Sequence, residues 1–313
     1  MCLLSIVLVN WNGGDQLFCT LESLDRALIS IHTTSEVILV DNASTDGSAN
    51  EAERRFSRLR VLHSERNLGF GAANNLVFSC ACGRYVLIMN PDVLASQVAL
   101  EALLAFMETH PQAGACGPKI LEADNQTISP WCARRDLQPL DVFFEYAYLP
   151  RLFSRHRLFS RYTMGDWNHA EDRPVDSLTG ACMLVRREVI DQVGGFDEQF
   201  FMYGEDIDWC RRMRQHGWQV WFVAAASVRH IGAHSIRQTS DHGARWSIES
   251  YIRYFRKWGR PLDLLKVRVA LSIGSLVRSV AWLGAACLRP RRWRYALSRS
   301  ASYLRCSVLA WIA

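Results

Sequence analysis

The sequence predicts an α/β fold, with a mostly parallel central sheet flanked by helices and further helices at the carboxyl end. Three observations predict it. Runs of aliphatic and β-branched residues begin near residues 3, 36, 59 and 84, a helical pattern follows each, and the connections between them are short. Strands that are apolar on both faces belong between two helical layers, whereas a half-exposed strand would alternate. At 313 residues the chain can hold one large α/β domain and an appendage.

LLSIVLVN (3–10) reads as a buried parallel strand running into the loop WNGGD, and residues 15–30 have helical periodicity. EVILVDNASTDGS (36–48) is a second strand with a polar loop, followed by a helix rich in Glu and Arg. LRVLHS (59–64) is the third strand, after which ERNLGFGAANN opens a helix. RYVLIMNPDV (84–93) is the fourth, and a helix follows at 96–110. Residues 132–175 mix Arg, Tyr, Phe and Trp without a period, as a long loop or insertion would. The pattern resumes with a strand in GACMLVRR (180–187), a helix at 205–216 and a strand over 218–230 that ends at His230. In parallel sheets ligands bind beyond the carboxyl ends of strands. Asn10, Asp41, Asn67 and Asp92 all fall just beyond such ends.

The net charge of +5 conceals a split. From Tyr251 onward there are 13 Lys and Arg against one acid, Asp263; residues 1–250 therefore hold 36 − 13 = 23 basic and 31 − 1 = 30 acidic side chains. A basic tail on an acidic body implies an anionic partner. Nucleic acid fits poorly, because the tail is too apolar. Residues 269–288 are broken by a single charge, Arg278, and Arg268, Ser272, Ser275 and Ser279 make a polar stripe. A helix lying on an anionic membrane fits this pattern better than one crossing it, where a central Arg costs about 2.5–3.5 kcal/mol. Two parts are expected, 1–258 as the globular domain and 259–313 as a membrane-associating helical tail, and homo-oligomer formation stays open. The ten cysteines include no CxxC pair, which speaks against a zinc ribbon or a redox dithiol and fits a reducing cytoplasm. MCLLSIVLVN lacks the basic and small-residue features of a signal peptide. The expected location is the cytoplasmic face of the inner (plasma) membrane, as a peripheral protein.

FFMYGEDIDWC (200–210) sets Glu205, Asp206 and Asp208 among aromatic residues, where carboxylates are costly unless paired or used. Carboxylates at a helix start also complement its dipole. Asp208 can pair with Arg211 and Arg212 at i+3 and i+4, a surface role. Asp206 is assigned differently, because neighbouring helical residues point about 100° apart and Glu205 and Asp206 cannot share one task.

The collinear segments VLVNWNG, VDNASTDGS, RNLGFGAANN, NPDV, TGACMLVRREVIDQVGGFDEQFFMYGEDIDWCRRMRQHGW and VRHIGAHS resemble a GT-A family 2 glycosyltransferase over residues 4–236. They are most similar to its bacterial rhamnosyltransferase branch, which builds cell-wall and surface polysaccharides. The resemblance implies an inverting transfer from a nucleotide sugar, with dTDP-L-rhamnose as donor and a lipid-linked glycan as acceptor. It makes Asp206 the base that deprotonates the acceptor hydroxyl, and Glu205 is expected to contact the acceptor or orient the loop. The aromatic setting is expected to raise the pKa of Asp206. Asp41 would accept the imide N–H of uracil or thymine, against the plainer possibility of an Asx turn. Asn10, Asn67, Gly69, Asn74 and Asn90 would line the nucleotide-sugar pocket, with Arg66 near the diphosphate; Gly71 is read as part of a loop and helix start. NPD stands where the family has DxD. Asp92 and His230 would hold Mg²⁺ or Mn²⁺, and Asn90 offers only a neutral oxygen or a turn. Competing possibilities are another UDP- or dTDP-sugar, a non-catalytic nucleotide-sugar-binding membrane scaffold, a retaining two-carboxylate glycosidase, and a nicotinamide-dependent oxidoreductase. The last is weakened because RNLGFGAANN lacks the third glycine and does not follow the first strand.

Overall fold

Leu4–Asn10, strand β1, is buried at all seven positions, as a strand between two helical layers should be. A computed structural model of the chain describes residues 2–31, 33–232, 240–288 and 293–313. His234 and the end of VRHIGAHS lie outside the described residues. The chain divides into two compact units. The first comprises Met1–Arg134, His169–Phe201 and Glu205–Arg237; the second comprises Arg135–Asn168, Met202–Gly204 and Gln238–Ala313.

In the first unit, helix α1 (Gly14–Ser30) follows β1 and buries Leu17, Leu21, Leu24 and Ala27, the spacing of one helical face. β2 (Ser35–Asp41) pairs in parallel with β1. After α2 (Ser48–Arg55), β3 (Leu59–His63) adds to β2, also in parallel. α3 (Phe70–Phe78) then leads to β4 (Tyr85–Met89), parallel to β1 on its other side. A short β5 (Val93–Leu94) precedes α4 (Gln97–Thr109), whose Ser96 cap oxygen accepts the Ala99 N–H at 3.2 Å.

The second half of the sheet departs from the expectation. β6 (Ala113–Leu121) was not predicted, because its two glycines and a proline weaken any local strand signal. After a small ribbon of β7 (Ala133–Arg134) with β9 (Ser177–Leu178), and with β8 (Arg173–Pro174) between them in sequence, comes β10 (Cys182–Arg186). It runs antiparallel to both β4 and β6. β11 (Gln219–His230) is parallel to β6 and antiparallel to β5 and β8. The order is β3-β2-β1-β4-β10-β6-β11-β5, a mixed sheet with a parallel half.

In the second unit, the stretch read as irregular contains α5 (Pro139–Tyr146) and the short α6 (Leu149–Leu152). Proline at its first position and a reciprocal Gln138–Asp141 capping box start α5. The carboxyl-end helices, following α7 (Arg187–Val193) and α8 (Glu205–Gln215) of the first unit, are α9 (Ser240–Trp258), α10 (Pro261–Leu288) and α11 (Trp293–Ile312). α10 and α11 are antiparallel neighbours. Arg268 donates to Trp311 O at 2.7 Å, Ser272 to Ser307 O at 3.0 Å and Ser279 to Ser300 O at 3.1 Å. The polar stripe of α10 therefore forms a seam against α11 rather than a water-facing surface. Arg278 is committed as well: it donates to the Glu145 and Tyr146 carbonyls at the end of α5 at 2.7 and 2.8 Å. No helix among the described residues is long and apolar enough to cross a membrane.

Candidate active site

Strand register gathers the predicted residues at one end of the sheet. Asn10 lies opposite Asp41 on the adjacent strand. Met89 lies opposite both Leu8 and Cys182, so the segments 90–92 and 179–181 emerge at the same edge. The Asn90 N–H donates to Ala181 O at 2.9 Å and fixes the two segments side by side. With neighbouring strands about 4.8 Å apart, the ends of β2 and β4 are separated by only about 10 Å.

Several predicted nucleotide-site residues turn out to build the loops. Asn10 is fully buried; its Nδ2 donates to Ser44 Oγ (3.0 Å) and Ser48 Oγ (2.9 Å), and its Oδ1 accepts the Gly13 N–H (3.1 Å). Asp41 makes the Asx-type contact weighed against a ligand role: Oδ1 accepts the Ser44 N–H at 3.1 Å, and Oδ2 meets His63 Nδ1 at 3.2 Å. Asn42 ties the two loops together by donating to Asn67 Oδ1 (2.9 Å) and accepting the Leu68 N–H (2.8 Å). Asn67 Oδ1 also accepts the Gly69 N–H at 2.9 Å. Gly69 has φ +83°, and a Cβ there would sit 2.2 Å from Phe201 O, so close backbone packing requires the glycine. Gly71 lies at the start of α3, where a Cβ would meet that of Phe196 at 2.9 Å. Asn74 is buried, donates to Phe70 O at 2.9 Å and leaves Oδ1 without a hydrogen bond. Arg66 is exposed beside these loops.

The NPD segment is a turn, with Val93 N–H donating to Asn90 O at 3.2 Å. The turn also delivers a side chain. Val93 pairs with His230 across β5 and β11, and the Ile231 N–H donates to Asp92 O at 2.9 Å, so Asp92 must lie beside His230. Asp92 Oδ1 and His230 Nε2 are 2.9 Å apart. Both atoms are buried, and neither has a well-formed hydrogen bond. Burial alone would lower the His230 pKa, but the adjacent Asp92 carboxylate outweighs it and the pKa stands above its ordinary value. An oxygen and a nitrogen at this separation match two neighbouring ligands of one divalent cation, which at about 2.1 Å and a right angle lie about 3 Å apart. These residues fit a metal. Among the described residues, one group of three potential ligands occurs elsewhere: Cys2, Glu36 and Cys82, at the amino-terminal end of the parallel strands.

The acidic helix start divides its tasks among three side chains. Tyr203 and Gly204 take left-handed φ values of +69° and +81° and turn the chain into α8. Asp208 is wholly buried and accepts from Arg212 Nε at 2.9 Å, so the expected surface pair is an interior one; Arg212 also caps the Val193 and Gly195 carbonyls. Asp206 Oδ2 accepts from the Arg134 guanidinium at 2.8 Å and from the Gly180 N–H at 3.1 Å, and Oδ1 accepts the Ile207 N–H at 2.8 Å. Arg134 was missed because only the folding of the 177–180 segment against β7 brings it there. Trp209 stacks on Phe78 and meets Phe196 in a tilted contact. Glu205 is buried, with Oε2 lacking a hydrogen bond. Burial, and then the charge of Asp206, push its pKa up to about 8. Glu205 is thus a carboxyl that this helix start holds in its protonated form at neutral pH.

A sheet edge that presents polar strand-end loops, a carboxylate–histidine pair and a pair of buried acids is the equipment of a nucleotide-sugar transferase. The chain belongs to glycosyltransferase like family 2, whose profile matches residues 3–248. It is 33% identical over 297 residues to the N-acetylglucosaminyl-diphospho-decaprenol L-rhamnosyltransferase of Mycobacterium tuberculosis, covering 88% of this chain and 93% of that one. It is 26% identical over 200 residues to rhamnosyltransferase WbbL of Escherichia coli, 60% of this chain and 70% of that one. A mannosyltransferase of Pyrobaculum calidifontis, solved with GDP-Man and Mn²⁺, shares the fold with a TM-score of 0.55 at 16% identity, over 99% of this chain and 87% of that one. The fold is GT-A, and the protein is a glycosyltransferase.

Proposed function

We propose that the enzyme transfers L-rhamnose from dTDP-L-rhamnose, with inversion, to a hydroxyl of a lipid-linked glycan. The observation that carries the choice of sugar and acceptor is the likeness to the mycobacterial rhamnosyltransferase along nearly the whole of both chains. In this reading Asp206 is the base. A carboxylate has about four acceptor positions; Arg134, Gly180 and Ile207 take three and hold the group in one orientation. The fourth takes the proton of the acceptor hydroxyl. The acceptor oxygen forms its bond to the anomeric carbon while the bond to the diphosphate breaks on the opposite face, and dTDP leaves with that electron pair. Glu205, protonated below pH 8, can donate to an acceptor oxygen. Asp92 and His230 would hold a divalent cation, which neutralises charge on the leaving diphosphate when bound. Asp41 and Arg66 would meet the base and the diphosphate at the loops that Asn10, Asn42 and Asn67 brace.

The test is a panel of nucleotide sugars offered with a polyprenyl-diphosphate-linked acceptor, with product configuration read by NMR. The reading expects dTDP-L-rhamnose to be preferred and the anomeric configuration to invert. Preference for another sugar would remove the donor assignment, and retained configuration would remove the single-base mechanism.

A further inference from the structure

We infer that the outward faces of α10 and α11 form a docking surface for an anionic lipid bilayer, along which the helices lie without crossing it. This goes beyond the catalytic proposal and stands independently of it.

The two helices have their polarity reversed relative to a pair exposed to water. Ser279 and Ser300 are 6% exposed, and Ser275 is fully buried. Ser279 and Ser300 meet in the seam between the helices, and Ser275, Ala296, Cys306 and Ala310 are buried as well. Small and hydroxyl-bearing residues inside and large apolar residues outside are the pattern of helices packed in lipid. The outer positions confirm the reversal. Val269, Ile273 and Val280 are exposed on α10, and Leu304, Val308 and Trp311 on α11, with Val280 at 67% and Val308 at 60%. Their spacings of 3, 4 or 7 residues put each set on one helical stripe. On α10 that stripe lies on the side away from buried Val267, Leu271 and Ser275, so the helix has no polar outer face.

Charge selects the occupant. The chain from Tyr251 onward carries 13 Lys and Arg against one acid. At about 100° per residue, the exposed Arg294 and Arg305 fall together on one flank of the α11 stripe, and exposed Lys266 borders that of α10. A second copy would present the same excess of positive charge to itself, whereas anionic headgroups neutralise it, by about 1 kcal/mol per basic side chain near the surface. Trp293, Tyr295 and Trp311 stand exposed towards the two ends of α11, where aromatic rings suit the headgroup boundary. Since no described helix is long and apolar enough to cross, the stripes meet the bilayer from one side.

The full-length protein, mixed with vesicles of phosphatidylcholine alone or of equal parts phosphatidylcholine and phosphatidylglycerol, tests this by co-sedimentation. The wild type should sediment with the anionic vesicles and largely stay in solution with the neutral ones. Val280→Asp with Val308→Asp changes only exposed positions and should reduce the bound fraction at least about tenfold, with unchanged circular dichroism and unfolding midpoint. Lys266→Glu with Arg294→Glu and Arg305→Glu should do the same to anionic vesicles, so the inference stays testable if the aspartate variant misfolds. Wild-type protein left in solution with anionic vesicles, or either folded variant sedimenting like wild type, overturns the inference. A dimer that the aspartate variant dissociates, without vesicle binding by the wild type, assigns the surface to a second copy and overturns it equally. Rhamnose transfer to a short soluble acceptor is read separately, so loss of lipid binding and loss of the donor assignment remain distinguishable.

Discussion

The guanidinium of Arg134 donates to Asp206 Oδ2 at 2.8 Å across 72 positions of sequence, and both side chains are more than nine-tenths buried. Arg134 also donates to Leu178 O, so one side chain fixes the acidic helix start to the β7–β9 ribbon. Arg134→Lys keeps the charge but loses the planar fork, which displaces the Asp206 carboxylate. The expected result is a fall in kcat on the order of 10²-fold, with nucleotide affinity by calorimetry unchanged. Arg134→Ala leaves a buried carboxylate without its partner and should cost about 3–5 kcal/mol in urea unfolding.

The buried Glu205 makes stability depend on pH. Its folded pKa, about 8, lies above the ordinary 4.5. The folded state therefore holds a proton that the unfolded state releases, so its contribution is fully present below pH 4.5 and is lost as the pH rises through 8. Glu205→Gln cannot ionise. The unfolding midpoint of Glu205→Gln relative to wild type should rise steadily from pH 5 to pH 8.5, by up to a few kcal/mol in free energy. A difference that stays flat with pH would place the titration elsewhere.

If Asp92 and His230 share a divalent cation with the donor diphosphate, each contributes one ligand atom to it. Either His230→Ala or Asp92→Ala should weaken Mn²⁺ binding in the presence of dTDP by roughly tenfold or more, as read by the paramagnetic resonance of free Mn²⁺. Chelator should abolish transfer by the wild type, and added Mn²⁺ or Mg²⁺ should restore it.

Close backbone packing requires a glycine at position 69. Gly69→Ala adds a Cβ 2.2 Å from Phe201 O at a φ of +83°. A loss of about 1–3 kcal/mol is expected in denaturant unfolding, together with disorder where Phe70 N–H meets Phe201 O.

How far the sequence carried the structure depends on how local each signal is. β1 to β4 and their helices were legible because buried parallel strands are continuous apolar runs. β6 was not, since AGACGPKIL becomes a strand only through pairing with β10 and β11. The strand-end residues do gather at one sheet edge, yet Asn10 and Asn67 brace loops there, a distinction that depends on which groups each amide meets. Sequence periodicity found the serine stripe of α10 but not its neighbour; a stripe looks the same whether it faces water or α11. Arg134 had no local signature, being one arginine among many until the chain folds.

Single-turnover transfer with saturating dTDP-L-rhamnose and a lipid-linked acceptor, comparing the wild type with Asp206→Asn, addresses the central claim most directly. Loss of the proton acceptor should slow product formation by about 10²–10⁴-fold while dTDP binding persists. A folded Asp206→Asn enzyme that forms product at the wild-type rate would contradict the assignment of that carboxylate as the base.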